Sequence, residues 1–473
     1  MHGLLIADKR PQGRTAIAVV EPATGEPFEE VAAAERADVD AAVAAAQAAF
    51  PAWSGVTAVA RADILFAFAE RVRAQVEELA VLEARNAGKP IGDARWEAAH
   101  VAETLRYYAG AADKFFGETI AVKKGGLDIT LRDPLGVVGL IVPWNFPMVI
   151  ATWKLAPALA CGNTVVLKPA SLTPLTALRL GEIALEAGLP PGVLNVIPGP
   201  GASIGAALAA HPDVAKISFT GETATGREIM RAAAATIKRI GLELGGKSPN
   251  IIFADVDLEP VAAEAVASVF ANAGQDCCAR SRVIVERSIY EPFISAMAAA
   301  TDALRVGDPL VETTQMGPLI SAAQRGRTEE YLGVGRGEGA RLVCGGQRLE
   351  GAGYFLRPAV FADARPRMRI VDEEIFGPVA VVLPFDSEAE AIALANDTIY
   401  GLSGSLWTND LKRGLRVAQA VRTGVLSVNS SSSVHLQAPF GGYKQSGVGR
   451  ELGMHALEHY TELKNVYFET QER

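Results

Sequence analysis

Cysteine is scarce in this chain. Only four occur among 473 residues, at Cys161, Cys277, Cys278 and Cys344. So few thiols in so long a chain exclude the disulfide framework that holds small secreted domains together. A membrane-length apolar run is nearly absent too. The uncharged run "GVVGLIVPWNFPMVIATW" (136–153) approaches a span in length, but Pro143, Asn145 and Pro147 interrupt its middle. A strand, a sharp turn and a new helix fit it better than a bilayer crossing. A basic surplus is also missing: 45 Lys+Arg face 54 Asp+Glu, a net charge of −9. Broad nucleic-acid binding needs a basic face, so that class is disfavoured. The start, "MHGLLIADKRPQG", lacks the layout of a secretory leader because its apolar run is short. A reducing cytoplasm is the expected location. No internal repeat, low-complexity tract or long polar linker is seen.

What remains is an ordinary globular composition, 49% hydrophobic and 21% charged. The length exceeds a single core, and roughly two or three domains are expected. After a short β start, the first third reads as helices over 38–50, 61–86 and 94–116. "GLDITLRDPLGVVGLIVP" gives two strands around Asp133-Pro134. Apolar strands then alternate with helices: "VVGLIV", "NTVVLK", "VLNVI", "VAKISFT" and "RIGLELGG" against 147–160, 173–188, 201–210 and 223–235. Such alternation predicts an α/β fold with a parallel sheet covered on both faces, of the doubly wound, nucleotide-binding kind. A second alternating set has strands near 249–254, 282–286 and 379–384.

Several short stretches could carry chemistry, and each has a plain structural alternative. "GPGASIG" (199–205) misses the dinucleotide fingerprint by one residue, and "GETATG" (221–226) opens a helix after a strand. Either could be an ordinary turn; together they favour a dinucleotide. Lys168 ends a strand, where ligands bind in open sheets, or where a lysine is simply solvated. "PWNFP" fixes Asn145 between two prolines, as an oxyanion donor or as a helix cap. Glu243 ends an apolar strand, as a base of raised pKa or as a salt-bridged terminus. Glu373 and Glu374, by spacing alone, read as surface acids. "HALEH" (455–459) fits one zinc-peptidase pattern. However, it lies near the end of the sequence and inside "ELGMHALEHYTELK", which reads as an amphipathic surface helix. In "GQDCCAR" the adjacent Cys277 and Cys278 suit neither a mutual disulfide nor zinc spacing. A reactive thiol remains, against a pair of buried inert ones.

"PWNFP", "KPASLTPL", "FTG" with a later Gly, "LELGGKSPN", "FANAGQDCCAR", "EEIFGPV" and "PFGGYKQSGVGRELG" occur in this order. Together they resemble the aldehyde dehydrogenase superfamily, from "VEPATGEP" to "YTELKNV", nearly the whole chain. The resemblance implies a Rossmann-type NAD(P)-binding domain (1–115 and 135–245) and an α/β catalytic domain (246–446). It adds a small oligomerisation element (116–134 and 447–473) in a homodimer or homotetramer. It implies oxidation of a small-molecule aldehyde to the acid through a cysteine thiohemiacetal and thioester, the hydrolytic type. A non-catalytic protein of the same fold is the alternative; the zinc peptidase through His455 and His459 is weaker still.

Carried over by position, the resemblance makes Cys277 the nucleophile, Asn145 the oxyanion amide and Glu243 the water-activating base. Lys154 and Glu451 become a proton relay. Lys168, with Ser171, would meet the adenosine ribose of NAD or NADP, Glu374 the nicotinamide ribose with Phe376 beside it, and Trp144, Gly201, Gly221, Thr223 and Gly245 would also bind the cofactor. Phe146, Trp153, Asp276, Cys278, His435 and Phe440 would form the aldehyde tunnel, and no metal is implied. Two departures matter. Ser171 replaces a glutamate common in NAD-specific relatives, which implies acceptance of NADP. Glu222 replaces a serine, so no phosphate contact is assigned to it. Asp276 is expected to turn its carboxylate away from the Cys277 sulfur, because a nearby anion raises a thiol pKa. The serines of "NSSSSVHLQAPF" suggest a polar or roomy tunnel mouth. The scarcity of basic residues there disfavours a carboxylate-bearing semialdehyde, unless Arg280 reaches it.

Overall fold

The strands Val137–Ile141, Thr164–Lys168, Leu194–Val196 and Lys216–Thr220 are buried at every residue. Such strands need no polar–apolar alternation, and this matches their continuous apolar sequence. In this computed structural model, residues 1–432 and 434–470 are described. Together with Arg239–Glu243 these strands form one parallel sheet. Its order is 239–243, 216–220, 137–141, 164–168, 194–196, with Gly447–Val448 antiparallel at the outer edge. The chain starts at 137–141, builds outward on one side, then returns to the other. A crevice therefore opens beside 137–141 at the carboxyl edge, where ligands bind in such sheets.

The second alternating set forms a seven-stranded sheet. Its order is 341–344, 359–362, 379–385, 282–286, 249–252, 405–407, 427–428, parallel except at the 341–344 edge. The uncharged run 136–153 becomes a strand, a turn and the helix Pro147–Ala160, as expected. Among the described residues, no helix is long and apolar enough to cross a membrane.

Three expectations change. The run 61–86 is two helices, Ala58–Ala74 and Val76–Ala87, broken at Gln75 (φ −115°, ψ 19°) without a Gly or Pro to mark it. At 201–210 a wide π turn, Gly201–Gly205, precedes the short helix Ala206–Ala210. "ELGMHALEHYTELK" is not an amphipathic helix. Only His455–Glu458 is helical, and Thr461–Phe468 is a strand antiparallel to Leu127–Pro134, which also pairs with Thr119–Ile120. Eight residue pairs of ladder outweigh a weak local helix tendency, and the β-branched and aromatic residues at its end favour the strand.

Candidate active site

Two cavities meet inside the molecule. One, about 400 Å³, sits in the crevice of the six-stranded sheet and touches Trp144, Gly221, Thr223, Gly245, Glu374 and Phe376. The other, about 380 Å³, is a more apolar tunnel walled by Phe146, Trp153, Cys278, Asp276 and Phe440. Cys277, Glu243 and Thr220 line both.

The cysteine loop is held in strained backbone. Asn272, Ala273 and Gly274 are all left-handed, at φ 50°, 56° and 69°. Side-chain-bearing residues persist there only when their surroundings hold them. The surroundings are visible: a Cβ on Gly274 would fall 2.3 Å from the Gly377 carbonyl oxygen. Asn272 Nδ2 donates to the Asn145 carbonyl (2.9 Å), and Asn145 Nδ2 donates to the Gln275 carbonyl (3.0 Å). Asn145 does not cap the next helix; Phe146 holds the cap position and Pro147 opens the first turn. An amide has two donors, so the second N–H of Asn145 has no partner among the described residues.

Asp276 does not turn away from the sulfur. One of its oxygens and the two sulfurs of Cys277 and Cys278 lie within 4.8 Å of one another. The reason is local: Asp276 Oδ1 accepts the Cys278 N–H (2.8 Å), satisfying a donor two residues on. The Cys277 thiol is pushed well above its ordinary value, first by its hydrogen bond with the Cys278 thiol, then by burial and by Asp276. Burial also raises Asp276, eased by that N–H. Cys278 is buried beside the core of the first half of the chain.

Glu243 ends its strand with Oε2 buried and without a hydrogen-bond partner. Burial drives its pKa well up, Glu451 adds to this, and Lys154 opposes it. Lys154 is fully buried and closely ion-paired with Glu451. Ser218 Oγ lies 3.2 Å from Lys154 Nζ and 3.4 Å from Glu451 Oε1. Lys154, Glu451 and Ser218 thus form one hydrogen-bonded set, whose two charges act on Glu243 through space.

Across the crevice, Glu374 Oε1 accepts the Gly246 N–H (2.9 Å), and burial raises its pKa to about 7. A Cβ on Gly245 would fall 2.1 Å from Glu374 Oε2, so only glycine permits this approach. Trp144 and Phe376 meet edge to face at 5.2 Å. Lys168, Ser171 and Gly201 lie outside this cavity's wall, further along the same sheet edge. Lys168 is buried and its pKa falls to about 8 for that reason. Ser171 Oγ donates to the Gly199 carbonyl (2.9 Å). Exposed Glu222 lines the crevice mouth.

Two candidates are not brought in. His435 is exposed and is not on the tunnel wall; its segment supplies Ser431, Ser432, Val434 and Phe440 instead. His459 Nε2 accepts the Arg450 N–H (3.1 Å), and one helical turn presents no paired-histidine face. The sequence reading missed Thr220, Gln324, Arg327 and Tyr331 at the crevice, and Lys89, Asp93, Trp96 and Glu97 at the tunnel. The only available signal was spacing: 324, 327 and 331 share one face of the helix Ala322–Gly337, and 93, 96 and 97 share one face of Ile91–Ala111.

An open α/β sheet with a crevice at its switch point, joined through one thiol to an apolar tunnel, defines an α/β enzyme with two converging substrates. The chain belongs to the aldehyde dehydrogenase family: the profile described as "Aldehyde dehydrogenase family" matches residues 9–466. Betaine aldehyde dehydrogenase of Bacillus subtilis is 45% identical over 460 residues, 96% of this chain and 94% of that protein. Retinal dehydrogenase 2 of Mus musculus is 46% identical over 453 residues, 95% and 88% of the two chains. An aldehyde dehydrogenase of Bacillus cereus solved as an NAD+ complex superposes with a TM-score of 0.98 at 44% identity, covering 99% and 97%. The P. syringae indole-3-acetaldehyde dehydrogenase, solved with NAD+ and IAA, gives 0.97 at 40%, covering 99% and 96%.

Proposed function

We propose that this protein oxidises an aldehyde to the carboxylic acid with a nicotinamide dinucleotide, using Cys277 as the nucleophile. The observation that carries this is the position of Cys277 and Glu243 on both cavity walls. The crevice suits a dinucleotide: it lies at the carboxyl edge of the sheet, and the buried hydroxyl of Thr220 on its wall lacks a partner. Lys168, Ser171 and Gly201 would hold the adenosine side, and Trp144, Glu374 and Phe376 the nicotinamide side, with Gly221, Thr223 and Gly245 between. A dinucleotide bound there supplies the acceptor for the hydride lost by the thiohemiacetal.

The protein's own residues do the rest. Cys277 loses its proton to solvent, its sulfur adds to the carbonyl carbon, and the C=O π pair moves onto oxygen. The free N–H of Asn145 and the backbone N–H of Cys277 hold the oxyanion; one such donor is worth roughly 3–4 kcal/mol in the transition state. After oxidation a thioester remains on Cys277. Glu243, whose raised pKa suits a base, takes a proton from water as the water oxygen attacks the thioester carbon. The C–S bond breaks, the acid leaves and the thiol is restored. Lys154 and Glu451 pass the proton on. Glu243 also argues against transfer of the acyl group to coenzyme A.

Ser171 removes the repulsion that a carboxylate would exert on a 2′-phosphate, so both NAD and NADP are accepted. The domain limits are 1–115 with 135–245 for the cofactor and 246–446 for catalysis. The element 116–134 with 447–473 makes a homodimer or homotetramer in the cytoplasm. Exposed Leu127, Leu131, Leu463 and Phe468 on that three-stranded sheet support a subunit contact. A panel of aldehydes offered with each cofactor tests the reading. Reduced nicotinamide and acid should form in equal amounts without coenzyme A; no product from any aldehyde refutes it.

A further inference from the structure

The turn Gly88-Lys89-Pro90 joins the helices Val76–Ala87 and Ile91–Ala111. Gly88 is left-handed (φ 79°), and a Cβ there would fall 3.0 Å from Pro318 Cγ. Pro90 stiffens the other side, so rigid backbone sets where Lys89 starts. Its ammonium is buried with two carboxyl groups; Lys89, Glu83 and Glu97 are each no more than 1% exposed. Lys89 pairs closely with Glu97 and faces Glu83 Oε1 at 4.0 Å. Glu83 is hydrogen-bonded with Glu97 and accepts the Thr176 hydroxyl (2.9 Å). A hydrogen bond between two carboxyl groups needs a proton on one of them, and burial raises both their pKa values. The set therefore holds one negative and one positive charge, the balance that a buried site requires.

The tip of Lys89 meets the turn that carries the oxyanion amide. Lys89 Nζ donates to the Asn145 backbone carbonyl (2.9 Å) and lies 4.5 Å from the Phe146 ring centroid. Asn272 Nδ2 donates to the same carbonyl (2.9 Å) from the cysteine loop. Pro143 and Pro147 bracket Asn145 and carry no N–H, so a run of backbone bonds cannot fix this turn alone. Two side-chain donors from distant segments hold its peptide instead. The Asn145 amide then donates to the Gln275 carbonyl (3.0 Å) and keeps its second N–H for a ligand.

We propose that Lys89 is a positioning residue for the oxyanion: its ammonium, balanced by the proton-sharing Glu83–Glu97 pair, holds the Asn145 peptide so that the free amide N–H points at the developing negative charge. This rests on the reading of Asn145 as the oxyanion donor. Lys89 acts through Asn145; it transfers no proton and holds no part of the cofactor. Without it the peptide can rotate, and a donor misplaced by roughly 1 Å costs roughly a hundredfold in rate.

The test compares Lys89→Met and Asn145→Ala, singly and together, in the intact enzyme with one aldehyde and saturating NAD. Lys89 also reaches the tunnel wall, so kcat rather than KM is the readout. In Lys89→Met, kcat should fall roughly tenfold to a hundredfold. Dinucleotide affinity, read by fluorescence titration, should stay at the wild-type value, because Lys89 is off the crevice wall. In the Asn145→Ala background the same change should cost kcat nothing further, because no amide is left to position. A group that only stabilises the fold would lower kcat by the same factor in both backgrounds. Multiplying losses therefore overturn the proposal, and so does a wild-type kcat in Lys89→Met. If Lys89→Met does not fold, Lys89→Met combined with Glu97→Met removes the cation and its partner together and is read in the same way. If Asn145→Ala keeps its kcat, the oxyanion reading falls and this inference with it. Multiplying losses beside a slow Asn145→Ala remove this inference alone.

Discussion

The crevice and the tunnel are built in different ways. The crevice is assembled from strand ends: Ile141 runs on to Trp144, Thr220 to Gly221 and Glu243 to Gly245, all at one edge of one sheet. The tunnel is assembled from helix faces and two loops, drawn from 89–97, 146–153, 267–280 and 431–440. Strand ends in a parallel sheet are fixed by the ladder, so local motifs suffice to place them. Helix faces meet only where packing brings them. The crevice is therefore suited to one constant ligand, and the tunnel can change its ligand by changing single exposed residues.

Variants at the shared wall test the comparison hardest. Cys277→Ser should lower kcat by roughly a thousandfold or more, because the hydroxyl is a far weaker nucleophile. Cys278→Ser, on the tunnel side only, should leave most of the rate. The reverse order would move the nucleophile off the junction. Next, Glu243→Gln should slow steady turnover by roughly a hundredfold to ten-thousandfold. A burst of reduced nicotinamide matching the enzyme concentration should persist in stopped-flow traces, since oxidation precedes hydrolysis. Loss of the burst would place Glu243 in the first step instead.

Asn145→Ala should lower kcat by roughly a hundredfold to a thousandfold, with a smaller change in KM. An effect confined to KM would make Asn145 a substrate-binding group. The smallest effects belong to the far end of the crevice. Ser171→Glu should cut the NADP-to-NAD ratio of kcat/KM by roughly tenfold, since a carboxylate repels the 2′-phosphate. Burial lowers Lys168 to about 8, so its cation is present below that pH and lost above it. The NADP-to-NAD ratio measured in wild type should therefore fall as the pH is raised through about 8. A flat ratio would separate Lys168 from the phosphate.

Legibility followed the same division. "PWNFP", "LELGG" and "EEIFGPV" were found because proline, glycine and strand ends act on their immediate neighbours; Trp144, Gly245, Glu374 and Phe376 line one crevice, while Lys168, Ser171 and Gly201 lie outside its wall. Asp276 lines the tunnel as expected, but its carboxylate does not turn from the sulfur, and His435 is off the tunnel wall. Asp276 is drawn to the Cys278 N–H beside the sulfur, and His435 sits outward while Val434 and Phe440 face in. Residues 461–464, the end of "ELGMHALEHYTELK", were misread as helix because the partner strand, 127–134, lies more than three hundred residues away (461 − 134 = 327). Trp96 and Glu97 fall within the expected helix over 94–116, whose sequence does not show which face meets the tunnel, and Asp93 lies just before it.

The sequence by itself determined the family, the α/β class and the stiff turns that present the candidate residues, because these depend on backbone rules spanning a few residues. Only the tertiary structure decided that one thiol closes two cavities, that Lys154 and Glu451 pair behind Glu243, and that Trp96 and Trp153 from two separate helices wall the tunnel. Those features come from segments far apart in the chain, and packing alone sets which of their faces meet.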